Sequence, residues 1–128
     1  MTTFHKDLTD AKWQAFSLNE QLANVGSEVE RAMKWAGKGE TGYSTNALYR
    51  ALDLLDLTIS DPRHRGRLKE LCRVREVLLD YFVGPNEFGS TAVLWHTYFH
   101  AFGMAAALER ERAFAQRGAA DAERAHVS

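Results

Sequence analysis

Between Ala92 and Leu108 the chain has no Asp, Glu, Lys or Arg, and only the imidazoles of His96 and His100 can become charged near neutral pH. A run this long without fixed charge either crosses a membrane or is a helix that protein must cover. Ser90 to Leu108 is just long enough to span a bilayer. However, His96, Thr97, Tyr98 and His100 would be costly in lipid, and no second apolar stretch accompanies them. The expectation is therefore a protein-covered helix and no membrane. Trp95, Phe99 and Phe102 fall to one side of it, Leu94 and Leu108 lie on another flank, and Val93 and Met104 border the histidines. A bundle helix needs only one apolar stripe. The surplus predicts self-association, a homodimer with this helix in its interface.

The remaining segments read as helices that could surround it. Ser17-Leu18-Asn19-Glu20 has the S-x-x-E capping-box form. After it Leu18, Leu22, Val25, Val29, Ala32, Met33 and Ala36 share one helical face, and Gly37 is a candidate stop. Gly26 lies inside this helix, where it weakens the helix, so a close helix–helix approach is the expected compensation. Ser44 is read as the cap of a second helix ending near Ser60, with Leu48, Ala51, Leu52, Leu55 and Ile59 as its main stripe. Asp61-Pro62 is a cap followed by proline at the first helical position. A third helix runs from about Arg67 to near Gly84 on Leu68, Leu71, Cys72, Leu78, Leu79 and Phe82. Ser90 or Thr91 caps the fourth, which should stop at Gly118.

No strand alternation competes with this pattern, and two prolines in 128 residues suit long helices. The predicted fold is all-α: an up-and-down four-helix bundle over 17–117, preceded by an N-terminal arm or short extra helix (1–16) and followed by a flexible tail (118–128). Hydrophobic residues at 45%, charged residues at 26% and a net charge of -1 fit one globular domain and mark neither nucleic acid nor a membrane surface as the partner. A single cysteine, Cys72, excludes an intrachain disulfide and agrees with a reducing compartment. MTTFHKDLTD lacks the basic start and apolar stretch of a secretory leader, so a cytoplasmic location is expected.

Few residues point to chemistry. His96 and His100, four apart, can face one metal ion. Yet the fragment reads HTYFH where a zinc protease has H-E-x-x-H, and the repeated E-x-x-H of carboxylate-bridged di-iron bundles is absent. They are read as core or interface histidines bonded to a carboxylate or carbonyl; no metal and no cofactor is expected. Arg75 falls among Leu68, Leu71, Leu79 and Phe82 and cannot lose its charge, so a buried pair with Asp56 is expected. The alternative is a ligand-binding or enzymatic pocket inside the bundle, formed by Arg75, Asp56, Glu28, His96 and His100. A second alternative is an RNA-binding accessory protein using the basic segment from Arg63 to Arg73. Glu70 interleaves with those cations, which favours a solvated helix entry. Cys72, on the apolar stripe, is read as a small buried hydrophobe. No catalytic residue is assigned.

Across residues 17–116 this layout resembles the substrate-binding partner proteins of minimal nucleotidyltransferases and the related HEPN domains. HEPN ribonucleases carry an arginine followed, after four to six residues, by a histidine, and no arginine here meets that spacing. The resemblance implies a helical, dimeric partner protein, with a nucleotidyltransferase as the kind of partner it would serve, and the missing motif argues against the family's nuclease activity.

Overall fold

The computed structural model describes residues 10–127 and is all-helical among them. Five helices follow one another: α1 (Asp10–Gln14), α2 (Leu18–Gly37), α3 (Thr41–Ile59), α4 (Leu68–Phe82) and α5 (Ala92–Val127), with a 3-10 turn at Pro62–Arg67 before α4. Residues 1–9 of the expected N-terminal arm lie outside the described residues; its remainder forms α1, which buries Trp13. No helix among the described residues is long and apolar enough to cross a membrane.

The caps show why the helices begin where they do. Ser17 accepts from the Glu20 amide while the Glu20 carboxylate accepts from the Ser17 amide, the reciprocal bonds of a capping box. Asp61 accepts from the Arg63 amide at 3.0 Å with Pro62 behind it. Thr91, rather than Ser90, accepts from the Leu94 amide at the start of α5. Ser44 corrects the cap expectation. α3 already begins at Thr41, and the buried Ser44 hydroxyl donates across to the Ala32 carbonyl at 2.8 Å. Gly37 is the last residue of α2, and Gly39, at φ +73°, makes the left-handed turn that reverses the chain.

Cross-helix bonds give the directions. Ser17 and Asn19 meet Glu109 while Glu30 meets His96, so α2 and α5 run antiparallel. Ser44 with Ala32 and Arg50 with Glu28 make α2 and α3 antiparallel, and Arg75 with Asp56 joins α4 to α3. α2 is central, with α3 on one side and α5 on the other. The core joins Leu22, Val25 and Val29 of α2 to Leu54 and Leu55 of α3, Leu71 and Leu78 of α4, and Trp95 and Phe99 of α5. Gly26 behaves as its position predicts: a methyl group there would stand 2.5 Å from the Phe99 Cβ, so the missing side chain is what lets α5 lie against α2.

The expected stop at Gly118 is corrected. α5 continues through it to Val127, because one glycine costs a helix only about 1 kcal/mol relative to alanine and the flanking Ala, Glu and Arg residues favour helix. At 36 residues α5 is about 54 Å long, against about 30 Å for α2. It parts from the other helices at Glu109, whose carboxylate accepts from the Ser17 hydroxyl (2.5 Å) and the Asn19 amide (2.6 Å) beside the positive end of α2. From Glu111 to His126 every residue is exposed.

Candidate functional site

The five residues proposed from sequence for an interior pocket do not converge. Arg75 Nε does donate to Asp56 Oδ1 at 2.8 Å, as expected, but the side chains are 36% and 40% exposed, so the expected burial is corrected. A long side chain beside an apolar stripe can keep its charged head in water, as the 36% exposure of Arg75 shows. Arg75→Met should therefore lower stability by about 1 kcal/mol or less rather than by the several kcal/mol of a stranded buried charge. Urea titration of the variant beside wild type checks this. Glu28 is buried, yet it belongs to a different group, accepting from Arg31 at 2.8 Å and Arg50 at 3.0 Å.

His96 and His100 are exposed, which corrects their reading as core residues. The rings stack with centroids 5.5 Å apart, and His96 Nδ1 lies 2.7 Å from Glu30 Oε1 of α2. The carboxylate partner was expected; of the two positions expected for these histidines, core and interface, the exposure excludes the core. A shallow groove of about 230 Å³ runs between α2 and α5, open beside Gly103, with the two imidazoles on its wall. No group of three or more His, Cys, Asp or Glu among the described residues is placed to hold a metal ion. Cys72 is likewise exposed, which corrects the buried-hydrophobe reading.

The basic segment is largely engaged with its own chain. Arg63 bonds Asp61 at 2.6 Å and the Phe16 carbonyl at 2.9 Å, Arg67 bonds Glu70 at 2.6 Å, and Arg73 lies 3.6 Å from Glu76. These pairings reduce what the segment offers a phosphate backbone.

The most developed polar cluster went unrecognised in the sequence. Trp13 Nε1 donates to Thr58 Oγ1 at 3.0 Å. Gln21, fully buried, donates through Nε2 to the Trp13 carbonyl (3.0 Å) and Asp61 Oδ2 (3.3 Å), and its Oε1 lies 2.8 Å from His64 Nε2. With the Gln21 amide donating on its other side, Oε1 is the acceptor and His64 Nε2 carries the proton. The Arg63 side chain holds the Asp61 carboxyl well below the usual carboxylate range, against the opposing effect of burial. Burial lowers the His64 imidazole more than the Asp61 charge raises it. The cluster ties α1, α2, α3 and the 3-10 turn together, and its bonds are satisfied internally. One signal was available: Gln21 stands three residues after Leu18 and four before Val25, on the apolar stripe itself.

The most extended unused surface is the outer side of α5. Trp95, Phe99 and Ala106 are buried on its inner side. Diametrically opposite, at 100° per residue, lie Thr97, Ala101, Met104, Leu108, Glu111, Ala115, Gly118 and Ala122. Their spacing alternates between four and three, the period of a helix–helix seam. All eight are exposed, Met104 at 55% and Leu108 at 49%. Glu111 is its only charged member.

No protein-family model, curated protein or solved structure matches this chain.

Proposed function

We propose that this chain is a non-enzymatic interaction protein, an up-and-down four-helix bundle that works as a homodimer paired through the outer face of α5. The observation that carries this reading is the exposed seam on α5, which keeps a strict three-four spacing over more than six turns and extends past the bundle. An exposed helix extension gains little stability from propensity alone; helices in proteins are held mainly by packing. Pairing with a second copy supplies that packing, and one self-complementary surface then serves both chains. Antiparallel pairing sets Met104 and Leu108 of one chain over Ala115 and Ala122 of the other, so that large side chains fill the space small ones leave. The buried ionisable groups Glu28, Asp61 and His64 are each already bonded to a neighbour, which favours binding to another protein over catalysis.

Sedimentation at micromolar concentrations tests the reading. Wild type should run as a dimer, and Met104→Glu and Ala115→Glu should each weaken the dimer at least tenfold, about 1.4 kcal/mol, without loss of helical circular dichroism. Phe99 is unsuitable for this test, being a core residue at 5% exposure. A monomer at every concentration, or a dimer indifferent to both charges, would sink the proposal.

A further inference from the structure

α5 meets α2 closely, as α3 does, but its backbone stays away from that of α4. The gap is a groove of about 340 Å³, walled by Val74 and Val77 of α4 and by Leu94, Trp95 and Tyr98 of α5, with Arg73, Glu70 and Ser90 at its edges. Trp95 is only 6% exposed, and its indole Nε1–H is the one buried side-chain polar atom among the described residues with no hydrogen-bond partner. Trp13, the other buried indole, has its partner in Thr58. Native proteins rarely leave a buried donor unmet, and a bound molecule is one of the few reasons they do.

The hydrogen-bonding capacity left around the groove indicates what such a molecule must offer. Glu70 is engaged by Arg67 at 2.6 Å and by the Tyr98 hydroxyl at 3.4 Å. Burial and that carboxylate keep the Tyr98 phenol protonated, with its pKa pushed up. Arg73 lies over the Phe88 ring at 5.2 Å, and its ion pair with Glu76 is long and exposed. What remains is the Trp95 N–H, the Arg73 guanidinium with only its long pair to Glu76, and the Ser90 hydroxyl, which can donate as well as accept, beside an apolar wall. The complement is an apolar body with an acceptor-only, anionic head.

We propose that the α4–α5 groove binds a small apolar monocarboxylate, its tail against Val74, Val77 and Leu94 and its carboxylate between Trp95 Nε1 and Arg73. Leu94, 59% exposed, lines the groove beside Trp95, and the proposed binding requires it to move so that the head group reaches the buried indole nitrogen. The groove lies on a different flank of α5 from the dimer seam, so the site stands or falls independently of self-association.

Octanoate is the probe, with 1-octanol and octylammonium as tail-matched controls. The indole N–H resonance of Trp95, assigned with Trp95→Phe, is followed by nuclear magnetic resonance. Octanoate should shift it saturably with a submillimolar midpoint, and both controls should bind at least tenfold more weakly. Arg73→Gln, a change at a largely exposed side chain, should weaken octanoate about tenfold and leave octanol unchanged. Octylammonium binding as tightly as octanoate, no saturable shift at Trp95 up to about 5 mM, or an Arg73→Gln protein that binds octanoate like wild type would each overturn the assignment.

Discussion

Gly26→Val should be among the most damaging single substitutions in this protein, lowering stability by about 3 kcal/mol, and Gly26→Ala should lower it by about 1–2 kcal/mol. The sign is the informative part. In an unpacked helix, replacing glycine by alanine stabilises by roughly 0.5–1 kcal/mol. Here the new Cβ would lie 2.5 Å from Phe99 Cβ and 2.8 Å from its Cγ, where carbon atoms normally rest about 3.5–4.0 Å apart. Phe99 has nowhere to retreat: it is 5% exposed and stacked on Trp95 at 5.9 Å between ring centroids. α2 and α5 must separate instead, which thins the core they share. Gly118 supplies the opposite case, because a Cβ there meets nothing within 4 Å. Gly118→Ala should raise helical ellipticity and cost no stability. Urea unfolding of the three variants decides it; a Gly26→Ala protein as stable as wild type would mean that α5 does not lie against α2 as described.

Asp61→Ala should lower stability by about 2–4 kcal/mol. About 1 kcal/mol is the lost cap on the Arg63 amide. The rest comes from the Gln21 amide, left in the interior without one acceptor, at about 1–3 kcal/mol. Arg63 adds little, since its side chain is 48% exposed and water takes over the lost pair. The same cluster sets the response to acid. The folded Asp61 carboxyl titrates below its ordinary value of 3.8, so the unfolded chain binds that proton first and stability falls as pH drops below about 4. His64 acts earlier. Its folded imidazole stays neutral below the ordinary 6.5 at which the unfolded chain protonates, so stability is complete above about pH 6.5 and declines below it. Wild type should thus lose stability in two stages, and His64→Gln, which can still present an N–H to Gln21, should lack the first. Urea midpoints measured between pH 7.5 and 3 test both stages. A midpoint that rises from pH 7 to 5, or an identical slope in His64→Gln, would contradict the described cluster.

Local features were legible in the sequence because they depend on residues a few positions apart. The Ser17–Glu20 capping box, the Asp61-Pro62 start, the Thr91 cap and the stripe of α2 each need only one helical turn to be specified, and the all-α fold follows from their repetition. Gly26 was also readable, since a glycine inside a helix needs a compensating neighbour, although only packing identified that neighbour as Phe99. Exposure was the property that short-range pattern misjudged. His96 and His100 sit in an apolar run and Cys72 on an apolar stripe, yet all three meet solvent, because an apolar sequence on every side of a helix does not say which sides find a partner. Arg75 and Asp56 pair as their wheel positions suggest, but at the helix margin, where a long side chain can keep its head in water. Trp13, Gln21, Thr58, Asp61 and His64 span 52 positions and become one bonded cluster only when α1, α2, α3 and the 3-10 turn converge. The unmet N–H of Trp95 is likewise invisible in one dimension: whether an indole finds an acceptor depends on the distance between α4 and α5, which no local spacing encodes.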